Sequence, residues 1–427
     1  MKIEFDDFFI TDNSNECEKG CKFVKTQMNA KFENDAVKNG AEIISLNEAK
    51  KFLNIDENIK IIGITGTNGK TTTAAAVYSA LLDLGYGCGL CGTRGAFVND
   101  KRIDEKSLTT MPILTTLSYL AQASKEKCEF FVMEVSSHAI SQNRIEGINF
   151  ALKIFTNLSQ DHLDYHKTME EYARVKSSFF MDETLKLINS DDEHIAYNPK
   201  SALTYAIKKP ATFSVEAYSL RGGIEAVLKH GSEKFDLSSD LQGEFNLYNL
   251  LAALGAIKML TNHSCEEISK ALSNFGGVEG RVQKICDNPT VIVDFAHTPD
   301  GIEKVLDALK DSELIVVFGA GGNRDKTKRP LMGKIVQHYA KYSIVTSDNP
   351  RFEEPLDIIK DICGGMDMNK NVTCEQDRLK AIKMAMDMAT HGELVVVLGK
   401  GDENYQEIKG VKHHYSDKET ILNLLKG

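Results

Sequence analysis

Residues 59–85 read IKIIGITGTNGKTTTAAAVYSALLDLG, and three kinds of segment follow one another in them. IKIIGI (59–64) is an apolar run of strand length. A glycine-bearing turn comes next, then a helical stretch rich in Ala and Leu that stops at Gly85. Strand, turn and helix in that order open a parallel α/β domain. Gly66 and Gly69 let backbone N–H groups curl around phosphate oxygens, and the helix N-terminus adds free donors and a favourable dipole. Lys70 offers a point charge to the β- and γ-phosphates, and the Thr71 hydroxyl can ligate Mg²⁺. Thr67, Asn68 and Thr72 lie in the same loop. The strict G-x-x-x-x-G-K-[ST] pattern needs Gly at 64, where this chain has Ile. The string is therefore a G-x-x-G-K-T variant. ATP binding is what it predicts; the competing reading is a plain strand-to-helix turn.

Outward from this unit the alternation continues. FFVMEV (130–135) and LKIFTNL (152–158) read as strands, and TMEEYARVKSSFF (168–180) as a helix. Residues 210–240 have the look of an antiparallel meander, and GEFNLYNLLAALGAIKML (243–260) returns to helix. After NFGGVEG (274–280), four apolar strands alternate with helical stretches: TVIVDFA, ELIVVFGA, YSIVTSD and GELVVVLG. That is a second, Rossmann-like α/β unit. The expected fold is α/β in three domains: a small α+β unit at 1–57, a phosphate-loop ATPase domain at 58–279 and a Rossmann-like domain at 280–427.

The 427 residues carry a net charge of −10, which argues against nucleic acid or an anionic membrane as a general partner. No apolar run approaches the roughly 18 residues of a membrane span, and MKIEFDDFFITDNS does not read as a leader. A cytoplasmic location and a monomer are expected. Nine cysteines without framework spacing suit free thiols. Cys17 with Cys21, and Cys88 with Cys91, are spaced for zinc or redox chemistry, but no second ligand pair matches them.

Further candidates stand at strand ends. Glu134 closes FFVMEV, where an α/β site assembles, and suits a Mg²⁺ ligand; a solvated strand-end Glu is the alternative. Asp161, His162, Asp164 and His166 follow the next strand, with ligation and plain hydrogen bonding equally open. GAGGNRDKTKR (319–329) and GKGDE (399–403) are either anion-binding nests or turns. Arg324, Lys326, Lys328 and Arg329 form a basic cluster or a solvated loop.

Ten strings taken together resemble the Mur ligase family, at its diaminopimelate-adding branch: TGTNGKTT (65–72), MEVSSHAISQNR (133–144), FTNLSQDHLDYH (155–166), YARVKSSFF (172–180), GEFNLYNLLAAL (243–254), EGRVQ (279–283), VDFAHTPDG (293–301), FGAGGNRDKTKRPLMG (318–333), TSDNPRFEEP (346–355) and GKGDENYQ (399–406). The resemblance implies a cytoplasmic, ATP-dependent ligase of peptidoglycan precursor synthesis, and so of cell shape and division. It would activate the free carboxylate of UDP-N-acetylmuramoyl-L-alanyl-D-glutamate as an acyl phosphate for attack by the amine of meso-2,6-diaminopimelate. Two Mg²⁺ are implied: Thr71, Glu134, His162 and a carbamylated Lys176 would hold them. Asn246, Arg281, Asp294 and His297 match positions near adenine, γ-phosphate and ribose. Thr109, Thr110, Ser136, Gln142 and Arg144 match positions for the UDP-MurNAc-dipeptide, with Ser14 of TDNS a faint echo of the family's D-S-R.

Asp348, Asn349, Arg351, Gly399 and Glu403 are implied to hold the amino acid. The Arg351 guanidinium suits a distal carboxylate and would repel the ammonium of L-lysine. Two departures touch these pockets. The family's T-T-P is TTMP at 109–112, and its GKGHE is GKGDE, so that Asp402 replaces a His. An L-lysine-adding ligase, a folylpolyglutamate synthetase and a non-catalytic nucleotide-binding regulator are the rival readings.

Overall fold

In the computed structural model, which describes residues 1–105 and 108–426, the strand read at 59–64 is Lys60–Thr65, and it lies inside an eleven-stranded sheet. Its neighbours are Phe150–Phe155 on one side and Phe130–Glu134 on the other, both parallel to it. Beyond Phe150–Phe155 the parallel block runs through Lys186–Asn189, Ala202–Ala206 and Phe213–Ser219; beyond Phe130–Glu134 it reaches Cys88–Gly92. Ile62, Ile64, Val132 and Ile154 are fully buried, as strands covered on both faces require.

The meander read at 210–240 is present. Phe213–Ser219, Ile224–His230 and Glu233–Ser239 pair antiparallel, but they extend the central sheet at one edge instead of standing apart. At the opposite edge two strands that no apolar run announced, Gly95–Val98 and Lys101–Asp104, add a second antiparallel margin.

Helix Lys70–Asp83 packs against helix Glu244–Leu260. The second helix is buried all round, with Leu247, Leu250, Leu254 and Ile257 at 0% exposure. Each such side chain contributes about 1.5–3 kcal/mol. Gly255 lets it lie close to the sheet: a Cβ there would come within 2.9 Å of Leu187.

The C-terminal lobe is a six-stranded sheet in the order Gln283–Asp287, Thr290–Asp294, Leu394–Leu398, Leu314–Phe318, Ala340–Val345 and Val372–Cys374, parallel except for the first strand. A separate hairpin, Tyr405–Ile408 with Val411–His414, follows the last long strand. The N-terminal residues form a four-stranded sheet of three-residue strands between Lys2 and Ile44. Among the described residues no helix is long and apolar enough to cross a membrane.

The paired cysteines resolve by geometry. Cys88 packs into the core on one face of the central sheet and Cys91 into the core on the other, so one ion cannot bridge them. Cys17 and Cys21 are buried free thiols, and burial, then Cys21, pushes the Cys17 thiol up to about 12.

Candidate functional site

Three adjacent strands end at one place. Lys60–Thr65 delivers the loop 66–69, Phe130–Glu134 delivers Glu134, and Phe150–Phe155 delivers Thr156 and Asn157. This is the carboxyl-end crevice where open α/β sheets bind ligands. Gly66 is required by crowding: its φ is +154°, and a Cβ would sit 1.8 Å from Thr156 Oγ1. Gly69 caps the helix at φ +85°, against Asn249 Oδ1. Lys70 Nζ donates to the carbonyls of Gly66 and Thr67, each at 2.8 Å.

The metal-type donors gather beside this loop. The Thr71 hydroxyl donates to Glu134 Oε2 at 2.9 Å, and Thr93 N–H holds the other carboxylate oxygen at 2.8 Å. Lys176, 1% exposed, donates to the Gly66 carbonyl at 2.8 Å. Burial, then the charge of Lys70, pulls its pKa well below the ordinary lysine value, against the pull of Asp161. His162 sits in the left-handed region at φ 55°. Burial holds its ring neutral, pushed down to about 3, against the pull of Asp161. His166, by contrast, turns away into the core and bonds Ser137 Oγ at 2.9 Å. Both rings pack against His138, at centroid distances of 4.9 Å and 5.7 Å.

Oxygen donors at Thr71 and Glu134, with a neutral imidazole nearby, fit Mg²⁺. The Lys176 amine would fit it only after conversion to an anion.

The positions matched to the dipeptide form a second knot at the same edge. Thr110 Oγ1 donates to the Glu134 carbonyl at 3.0 Å and accepts from Ser136 N–H at 2.9 Å. Ser136 caps helix Ser137–Ser141. Arg144 donates to the Thr110 carbonyl at 3.1 Å and to Gln142 Oε1 at 2.5 Å, and Thr109 accepts from Thr93 Oγ1 at 3.2 Å. Ser14 lies in the N-terminal unit, buried in the turn Ser14–Glu16, where its carbonyl accepts from Asn39; no hydrogen bond joins it to this knot among the described residues.

In the C-terminal lobe, Asp348, Asn349, Arg351, Gly399 and Glu403 also come together. Asn349 Nδ2 donates to Glu403 Oε2 at 2.9 Å. Gly399, at φ +113°, leaves room for Asp348 Oδ2, which a Cβ would meet at 2.5 Å. Arg351, at φ 52°, donates through Nη1 to the Gly322 carbonyl at 2.8 Å and pairs with Glu407 at 3.3 Å. The glycine string 319–322 thus packs beneath the 346–351 loop. The basic cluster beside it divides: Arg329, 0% exposed, pairs with Glu353 and Asp361 and buried Lys328 pairs with Asp161, whereas Arg324 and Lys326 are exposed and reach Asp164 and Glu353 from solvent.

Asn246 and Arg281 line a cleft of about 290 Å³ with Asp240, Gln242 and Gly277. Arg281 lies over the Phe295 ring at 4.3 Å. Asp294 accepts from the N–H groups of Val282 and Ala296, and His297 from the C-terminal lobe approaches Asp161 at 3.8 Å. Asp161 is therefore a hub: His162, His297 and Lys328 surround it and overcome the effect of burial, holding its carboxyl well below the usual range.

Sequence reasoning missed two buried cations. Lys400, 0% exposed, bonds Asn349 Oδ1 and Glu403 Oε2. Arg378 donates to the carbonyls of Ser347 and Leu398 and pairs with Asp417. Lys400 could have been marked, because it stands between two glycines at a strand end; nothing local marks Arg378.

Comparison with known proteins gives this geometry a family. Residues 64–257 match the Mur ligase middle domain, and 280–401 the Mur ligase glutamate ligase domain. A Wolinella succinogenes protein named UDP-N-acetylmuramoyl-L-alanyl-D-glutamate--2,6-diaminopimelate ligase is 48% identical over 98% of this chain and 96% of its own. A Helicobacter pylori protein of the same name is 47% identical over 98% and 97%. A solved structure of a ligase so named superposes with TM-score 0.68 at 32% identity, covering 98% of this chain and 94% of that one. The Mycobacterium tuberculosis folylpolyglutamate synthase shares the fold at TM-score 0.66 and 18% identity over 82% of this chain and 90% of its own. With both domain families matched in order across most of its length, the chain belongs to the Mur ligase family.

Proposed function

We propose that the protein joins meso-2,6-diaminopimelate to UDP-N-acetylmuramoyl-L-alanyl-D-glutamate with hydrolysis of ATP, in cytoplasmic peptidoglycan precursor synthesis. One observation carries the reading. The phosphate loop with Glu134 and the Thr110–Arg144 knot share one strand edge, and the Asn349–Arg351–Glu403 group lies on the lobe that meets that edge at Asp161.

The loop N–H groups and Lys70 hold the nucleotide's phosphates, and Asn246 and Arg281 receive the base end. Ser136, Gln142 and Arg144 place the acceptor carboxylate in line with the γ-phosphate, so that catalysis is mostly positioning and charge neutralisation. Thr71, Glu134, His162 and carbamylated Lys176 would hold Mg²⁺, which would neutralise charge on the transferring phosphoryl group. Arg351 and Glu403 then grip the distal carboxylate and ammonium of the amino acid, leaving its other amine to attack the acyl phosphate.

The test is ADP release with the UDP-linked dipeptide alone, with meso-diaminopimelate and with L-lysine. Turnover should require meso-diaminopimelate. Its absence with every amino acid would defeat the enzyme reading, and turnover with L-lysine alone would defeat the specificity.

A further inference from the structure

One acidic side chain of the C-terminal lobe reaches the phosphate loop without belonging to any of the groups above. Asp300 lies in the first turn of helix Pro299–Ala308. Its Oδ2 accepts from Asn68 Nδ2 at 2.8 Å and from Ser159 Oγ at 3.1 Å. Asn68 sits between Thr67 and Gly69 in the loop; Ser159 follows the strand that supplies Thr156 and Asn157. The turn is close enough that a Cβ on Gly301 would lie 3.8 Å from Asn68 Oδ1.

The main chain of Asn68 is held from its own lobe. Its N–H donates to Asn157 Oδ1 at 3.0 Å, and its carbonyl accepts from Asn157 Nδ2 at 3.0 Å and Thr156 Oγ1 at 2.7 Å. Its side chain bonds Ser159 Oγ of its own lobe only at 3.4 Å, and Asp300 of the other lobe at 2.8 Å. Lys304 pairs with both carboxylate oxygens of Asp300, at 2.9 Å and 3.0 Å, so Oδ2 serves its own helix and the loop together.

We propose that Asp300 is a positioning residue for the phosphate loop, tying Asn68 to Ser159 when the C-terminal lobe is seated, so that nucleotide binding and lobe seating strengthen each other. Coupling of this kind is reciprocal: whatever factor seating adds to nucleotide affinity, nucleotide adds to seating. The inference rests on the reading that this loop takes ATP.

The experiment measures ADP binding, in Mg²⁺ buffer, by calorimetry on the full chain, with X-ray scattering of the same samples. Asp300→Ala should weaken ADP by about tenfold, the loss of a hydrogen bond to a charged group. It should also shift the compaction that ADP induces to correspondingly higher concentration. Asp300→Asn keeps an acceptor oxygen in place and should weaken ADP less; it also serves if the alanine variant folds poorly. Lys304→Ala removes the intrahelical pair and leaves the loop contact, and should bind ADP as the parent does. Parent-like ADP affinity in both Asp300 variants would overturn the inference. So would equal weakening in Lys304→Ala, since the Asp300–Lys304 pair and not the loop contact would then explain the effect. Failure of the unsubstituted protein to bind ADP would remove the proposed function as well, which separates the two outcomes.

Discussion

The carbamate proposed at Lys176 would meet two demands that conflict in water. An amine must be neutral to take up CO₂, yet the product must carry negative charge to hold a cation. Burial under the Gly66 carbonyl, next to Lys70, shifts Lys176 toward the neutral amine. Lys176→Ala should cut turnover at least about a hundredfold, on the scale of a lost preorganised charge contact, with partial rescue by a short carboxylic acid. Full activity of the variant in the ADP assay would show that no carbamate is needed. Arg351→Ala should raise KM for the amino acid far more than KM for ATP; equal changes would remove it from the amino-acid pocket. Glu353 titrates differently. Its bond to Arg329, against modest burial, holds the carboxyl down to about 2. A depressed carboxyl contributes stability above its unfolded value near 4.5, and that contribution is lost as pH falls from there toward 2. Glu353→Gln should therefore flatten the acid limb of the Tm–pH curve between those limits; an unchanged limb would refute the pairing. Lys70 and Glu134 were legible in the chain because strand, glycine and charge are neighbours in it. Lys176 and Arg351 were legible only through the family strings. Asp161 was one of four equal candidates, since its partners His297 and Lys328 lie in another lobe and no spacing announces them.

At the level of elements, the apolar strands of both large sheets were readable because strands buried on both faces are continuous hydrophobic runs. The edge strands Gly95–Val98 and Lys101–Asp104 were not, being short and partly polar, and neither was the strand order, which depends on long-range pairing. The last two helices hide a further device. Arg378 begins helix Arg378–Met388 and forms a two-bond pair with Asp417, at 2% and 0% exposure, of helix Asp417–Leu424. Removing one partner leaves a buried charge alone, so Asp417→Ala should cost about 3–5 kcal/mol of stability, read from the denaturant midpoint. The double variant Arg378→Met with Asp417→Leu should recover most of that loss; no recovery would mean that the carbonyl contacts of Arg378, not its charge, dominate.

The molecule as a whole closes its chemistry between two lobes whose meeting surface is polar. Gln160 donates to Asp325, Arg324 pairs with Asp164 and Lys328 with Asp161. Such contacts are individually weak, and lobes joined in this way move relative to each other by default. Between helix Cys265–Ser273 and strand Gln283–Asp287 the chain passes through a partly exposed connection that carries Arg281. Trypsin should cut after Arg281 in the free protein, and ADP should slow that cut several-fold by the linkage that protects any bound state. Equal rates with and without ADP would mean that nucleotide does not draw the lobes together.

The backbone at Arg351 has a consequence for how such enzymes change their diet. Its N–H donates to the Glu407 carbonyl at 3.0 Å, and its own carbonyl accepts from Lys409 at 2.6 Å, while the left-handed φ fixes the side chain's departure. The guanidinium is presented by a clasped hairpin and does not swing freely. A single exchange at 351 removes one charge but leaves a cradle shaped for a different occupant. On the role proposed for Arg351, a change to another diamino acid would require loop and hairpin to alter together, because half of the change would leave a cradle that fits neither substrate.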